Sequence, residues 1–179
     1  SLKELNIPAN VKTIDDAYYS NESGYADRGV FEGCTSLTKV TIGDANTDVS
    51  LTTIGSEAFY GCSALEEVYI GNAVGTIGEN AFAYTGIKNI TLGNNVKTIG
   101  HRAFYSCLNL KSIGIPNSVT AIGNLAFAGC IKMESVTFGS GLVKIYGAAF
   151  YGCKSLKELN IPANVKTIDD AYYSNESGY

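Results

Sequence analysis

Apolar residues recur along this chain in fixed phase. Ile stands at 54, 77, 99, 122, 145 and 168, at intervals of 23, 22, 23, 23 and 23. Phe59, Phe82, Phe104, Phe127 and Phe150 each follow such an Ile by five residues. Leu51, Val74, Val96, Val119, Leu142 and Val165 each precede one by three. Cys62, Cys107, Cys130 and Cys153 follow their Phe by three, whereas the third repeat has Thr85 there and is one residue short. A second apolar triplet precedes each Ile, as in Leu37/Val40/Ile42, Leu65/Val68/Ile70 and Leu110/Ile113/Ile115. Its last two members alternate with polar residues, which is the period of a half-buried strand. Self-similarity at such a period is the mark of a solenoid. Equivalent side chains should then lie about 5 Å apart, in columns along the axis. A single repeat cannot bury enough apolar surface to offset the entropy of ordering it, so only stacking makes the sum favourable.

The most specific block is I-G-x-x-A-F-x-x-C, as in Ile99-Gly100-His101-Arg102-Ala103-Phe104-Tyr105-Ser106-Cys107, repeated in phase. With it, nearly the whole chain resembles the BspA-like, bacterial surface-antigen type of leucine-rich repeat. The resemblance implies a leucine-rich-repeat solenoid, mainly β with short helical or 3-10 turns. It implies a right-handed superhelix of about 23-residue rungs with a parallel sheet. It also implies a secreted or surface-attached bacterial protein engaged in adhesion to host proteins and other cells.

We read residues 1–179 as one solenoid domain with two interruptions. An insertion of 12 covers roughly residues 18–29, and one of 5 lies at 44–48. Insertions in a solenoid emerge as loops on one edge, where individual function concentrates. Residues 1–25 also return verbatim as 155–179, at an offset of 154. Identity of this length is not repeat drift, because neighbouring rungs keep only their core columns. Two readings stand: ends drawn to overlap, or one window of an array with a 154-residue superunit. Neither end has a polar cap, so exposed rungs could pair edge to edge with another molecule.

Charge and chemistry narrow the function. Net charge is −4 and the 13 Lys and Arg do not cluster, which argues against nucleic acid. No apolar window is long enough for a membrane span, and no signal peptide is visible in this segment. Cys34, Cys62, Cys107, Cys130 and Cys153 share one phase, so an internal column of free thiols is expected rather than a zinc cluster. His101, the only histidine, sits at a variable position expected to be exposed, with no nucleophile or acid placed to use it. The chain therefore reads as non-enzymatic, with no cofactor. Asp44, Asn46 and Asp48 imitate the start of a calcium loop. Val49 and Gly55 then stand where that loop needs Gly and Glu, so a solvated Asx-rich turn is the better reading. The glycines after Ile, such as Gly78 and Gly100, recur once per rung and mark a backbone bend.

Binding candidates lie on the outward strand positions and in the larger insertion. Lys39, Thr41, Glu67, Tyr69, Asn89 and Thr91 should share one face of the sheet, which Glu4/Asn6 and Glu158/Asn160 extend at its two ends. Tyr18, Tyr19 and Tyr25 supply aromatic contact area in or beside the insertion. The expected partner is a protein or glycan on a host or neighbouring cell. A structural alternative is a repeat unit that assembles end to end into a fibre.

Overall fold

The computed structural model describes residues 2–8, 11–15, 29–43 and 53–169. Thirteen short strands occur among them. They are β1 (Glu4–Ile7), β2 (Thr13–Ile14), β3 (Lys39–Ile42), β4 (Thr53–Ile54), β5 (Glu67–Ile70), β6 (Thr76–Ile77) and β7 (Asn89–Thr91). β8 (Thr98–Ile99), β9 (Ser112–Ile115), β10 (Ala121–Ile122), β11 (Ser135–Phe138), β12 (Lys144–Ile145) and β13 (Thr167–Ile168) complete the set. Every observed pairing is parallel, and every rung but the last contributes to two ladders. The longer strands pair in the order β1-β3-β5-β7, with β9 and β11 as a separate pair. The two-residue strands form a second sheet of seven, from β2 through β4, β6, β8, β10 and β12 to β13. That second sheet is the Ile column: Ile14, Ile54, Ile77, Ile99, Ile122, Ile145 and Ile168 lie in register. The break between β7 and β9 follows the one rung that is a residue short.

Opposite the sheets, each rung crosses the core on its Phe. Phe31, Phe59, Phe82, Phe104, Phe127 and Phe150 form one row, with successive ring centroids 5.2, 5.1, 5.4, 5.3 and 5.4 Å apart. Interplanar angles are 3–13°. The rung spacing sets that separation, so the rings stack with an offset, the arrangement their quadrupoles favour. Four of these rings are fully buried. The backbone locks the row: the amide of Phe59 donates to Ala81, Phe82 to Ala103, Phe104 to Ala126 and Phe127 to Ala149, each at 2.8 Å.

The turns expected on this side are isolated i→i+3 bonds, such as Tyr60 N–H to the Glu57 carbonyl at 2.9 Å. No helical or 3-10 segment is formed among the described residues. Left-handed residues that are not glycine recur in these turns: Glu57, Asn80, Arg102, Leu125 and Ala148 at one position have φ of 50–59°, and Tyr84 and Ser106 at a second have φ of 58° and 55° where other turns carry Gly. Each such residue costs about 1–2 kcal/mol. In return its amide reaches the next rung, as in Glu57 to the Glu79 carbonyl at 2.8 Å and Asn80 to that of His101 at 2.9 Å. The glycines after Ile serve a different purpose from the bend expected of them. A Cβ on Gly100 would lie 2.9 Å from the Ile77 carbonyl oxygen, and one on Gly123 2.5 Å from the Gly100 carbonyl carbon. They mark the line along which successive backbones touch.

The sheet also stops short of one place where a strand is expected. Glu158 and Asn160 repeat Glu4 and Asn6 in sequence, yet residues 158–161 form no strand. The identical tetrapeptide Glu4–Ile7 is β1. Pairing here depends on the neighbouring rung rather than on the segment's own sequence.

Candidate binding surface

Because side chains alternate along a strand, burying Val40/Ile42 and Val68/Ile70 turns their polar neighbours outward. Parallel register then aligns those neighbours across rungs. Lys39, Glu67 and Asn89 form one column, and Thr41, Tyr69 and Thr91 the next. The structure thus brings together all six of these strand residues singled out from the sequence. Lys39 Nζ lies 3.8 Å from Glu67 Oε2, and beside it Lys88 Nζ lies 2.7 Å from Glu66 Oε1. Both pairs are exposed, so each adds little stability and remains available to a partner. A shallow depression of about 270 Å³ opens here, lined by Lys39, Glu67, Tyr69, Asn89 and Thr91 over the backbone of Val40 and Val68, whose side chains face the core. Tyr69 is the one large ring in these two columns, and β9 continues the face with only Ser112 and Gly114.

Tyr18, Tyr19 and Tyr25 lie outside the described residues, as do Asp44, Asn46 and Asp48. Among the described residues no three His, Cys, Asp or Glu side chains come together as metal ligands. No helix among them is long and apolar enough to cross a membrane.

The cysteines form the expected internal column, and all five are free thiols. Each of four donates to the Phe carbonyl one rung back: Cys62 to Phe31 at 3.1 Å, Cys107 to Phe82 at 3.2 Å, Cys130 to Phe104 at 3.3 Å and Cys153 to Phe127 at 3.2 Å. Thr85 takes the same slot but donates to its own Phe82 carbonyl at 2.8 Å. Burial pushes the Cys62 and Cys153 thiols up to about 11, which makes them poor nucleophiles. His101 departs from expectation. It is half-buried, its Nε2 is 3.9 Å from Glu79, and burial holds it below the usual imidazole range against the pull of that carboxylate.

A second aromatic feature follows only in part from the recurrence of Tyr60, Tyr105 and Tyr151 just after Phe, a set expected to pack along one edge. Tyr60, Tyr84 and Tyr105 form an edge-to-face column with centroids 5.3 and 5.4 Å apart, and the Arg102 guanidinium lies 5.6 Å from the Tyr105 ring centroid. Tyr60 and Tyr105 directly follow a Phe, and Tyr151 does too but stands apart, largely exposed. Tyr84 joins the column from two residues after Phe82, and no fixed-phase comparison would align it.

Set against known proteins, residues 52–178 match the BspA type Leucine rich repeat region in six copies. A leucine-rich repeat protein from Bacteroides ovatus ATCC 8483 is 28% identical with a TM-score of 0.64, the match covering 94% of this chain and 48% of that one. This chain therefore spans about half the length of that protein. The T. pallidum Leucine Rich Repeat protein is also 28% identical, with a TM-score of 0.68 over 89% of this chain and 74% of its own. A leucine rich cell surface protein from Faecalibacterium prausnitzii A2-165 shares the fold at 22% identity and a TM-score of 0.50, over 93% of this chain and 65% of its own. No curated protein matches the chain.

Proposed function

Since the chain belongs to the BspA-type leucine-rich repeat family, a family of protein-binding repeat modules, we propose that it is a non-enzymatic adhesion module of an extracellular or cell-surface bacterial protein. Its ligand is an extended protein segment or glycan lying across β3, β5 and β7. The observation that carries this is the depression whose rim is Lys39, Glu67, Tyr69, Asn89 and Thr91. It has a charged pair at one end, an aromatic wall, and amide and hydroxyl groups at the other, over the strand backbone. That mixture suits a ligand with both polar groups and one apolar face. Surface placement rests on the family resemblance, as does adhesion. In this proposal Tyr18, Tyr19 and Tyr25 add a second contact from the insertion.

The test is to probe arrays of tiled peptides and of glycans with the full chain and with Tyr69→Ala and Lys39→Ala/Glu67→Ala variants. These side chains stand on the outward face, so the fold should survive their loss. Spots bound by the wild type should weaken about tenfold with Tyr69→Ala, the loss of one aromatic anchor. Binding that ignores all these changes, yet falls when Tyr84 and Tyr105 are replaced by Ala, would move the site to the turn side and overturn the proposal.

A further inference from the structure

Tyr84 has φ of 58°, in the left-handed region that bulky side chains avoid. Other rungs place Gly61, Gly129, Gly152 or Ser106 there, all with positive φ. The turn itself requires that conformation. It lets the Tyr84 amide reach the Tyr105 carbonyl at 2.8 Å, as Gly61 reaches Ala83 at 2.9 Å and Gly129 reaches Tyr151 at 2.7 Å. Glycine meets the requirement without steric cost. What tyrosine adds is not core, because Tyr84 is 47% exposed. It completes an aromatic column. The slot directly after Phe holds Tyr60 and Tyr105 in the flanking rungs but the buried Ala83 in this one. From the next position Tyr84 bridges the gap, with centroids 5.3 Å from Tyr60 and 5.4 Å from Tyr105. Strain kept at an exposed position points to a use for the side chain that the fold does not make of it.

Interplanar angles of 67° and 69° turn each neighbouring pair of rings into a corner. The chain fills one corner itself, with the Arg102 guanidinium 5.6 Å from the Tyr105 centroid. Among the described residues no cation lies over Tyr60 or Tyr84. A carboxylate stands there instead. Glu57 accepts the Tyr60 amide on its carbonyl at 2.9 Å, and its own amide donates to the Glu79 carbonyl at 2.8 Å. No Lys, Arg or His among the described residues is ion-paired with Glu57. Burial, then Glu32 and Glu79, hold its carboxyl above the usual range. His101, 3.9 Å from Glu79, is held below the usual imidazole range by burial and so brings little charge at neutral pH. We propose that Tyr60, Tyr84 and Glu57 form a second binding surface, on the turn side, for an arginine side chain of a partner protein. A guanidinium is planar, lies on ring faces and keeps donors free for a carboxylate. Arg102 on Tyr105 is the seat already built within this chain, and the net charge of −4 favours a cationic partner. This surface is separate from the strand face and independent of any ligand bound there.

An NMR titration of the full chain tests this, with a short Gly-Ser peptide carrying one arginine as the probe. The same peptide with lysine, and with citrulline, which keeps the side chain's shape and drops its charge, are the comparisons. The arginine peptide should shift the amides of residues 57, 60, 79 and 84 saturably, the lysine peptide less tightly, and the citrulline peptide not at all. Tyr84→Gly should melt close to the wild type, since glycine is what three other rungs use there, yet bind arginine about fivefold more weakly. Glu57→Gln should weaken binding to a similar degree and keeps the test sound if the first variant folds poorly. Tyr69→Ala, on the strand face, should change nothing. Absence of shifts, equal affinity of the wild type and both turn-side variants, or lysine or citrulline binding as tightly as arginine would each overturn the proposal. So would weakening by Tyr69→Ala, which would place the peptide on the strand face.

Discussion

Replacing Phe104 with Ala removes the middle of the ring row. The ring is fully buried and stacks on Phe82 at 5.4 Å and Phe127 at 5.3 Å. Truncating a buried Phe costs about 3–5 kcal/mol, and an aromatic pair is worth about 0.5–1.5 kcal/mol beyond its area. With both neighbours lost, the expected destabilisation is about 4–8 kcal/mol. For a chain of this length each kcal/mol lowers the melting temperature by roughly 2–4 °C, so a drop on the order of 10–30 °C should appear in far-UV circular dichroism. Two controls separate the row from ordinary burial. Phe104→Leu keeps most of the volume and should cost about 1–2 kcal/mol. Phe150→Ala removes a partly buried ring stacked on Phe127 alone, with Phe138 edge-on at 6.0 Å, and should cost about half as much as Phe104→Ala. Rungs couple only to their neighbours. Hydrogen exchange in Phe104→Ala should therefore quicken first at the amides of residues 82 and 104, which bridge the rungs around the void. A loss below about 1 kcal/mol, or equal losses at 104 and 150, would refute the idea that the row is a shared core.

Two further outcomes follow from the backbone and the thiols. Gly123→Ala puts a Cβ 2.5 Å from the neighbouring backbone and should lower the urea midpoint, by about 1–3 kcal/mol or more. Gly114→Ala meets nothing nearer than Thr137 Oγ1 at 3.5 Å and should be neutral or slightly stabilising. The Cys62 thiol is raised from 9.0 to about 11 in the fold, so the unfolded chain ionises first as pH rises. Its contribution is intact below pH 9 and lost between 9 and about 11. Urea midpoints should fall across that window, and less steeply in Cys62→Ala; parallel curves for the two proteins would contradict this.

What the sequence revealed was whatever repeats by side chain. The Ile, Phe and Cys columns are chemical identities at fixed intervals, and each maps onto a buried row. What it hid was set by backbone or by neighbours. Residues such as Thr76–Ile77 are too short to show alternation, so nothing announced a second sheet. Glu57, Asn80, Arg102, Leu125 and Ala148 share a left-handed conformation without sharing a residue type. Gly100 reads as a bend because glycine has two uses, and only the distance to Ile77 and Gly78 tells them apart. The candidate surface was legible at Lys39, Glu67, Tyr69, Asn89 and Thr91, since strand alternation settles which way they point. Tyr84 escapes notice because it stands two residues after Phe82, where other rungs carry Gly61, Ser106, Gly129 and Gly152, instead of directly after the Phe as Tyr60 and Tyr105 do.

The hydrogen-bonded ladder beneath the Phe row has a mechanical consequence. Rungs are tied to their neighbours at two places, in the strand ladders and by the amides of the Phe row. A load along the axis is therefore shared between two separate lines of hydrogen bonds, and neither line can open alone without shearing the other. Adding rungs lengthens both lines together, so the outward strip grows with repeat number while each local contact stays the same.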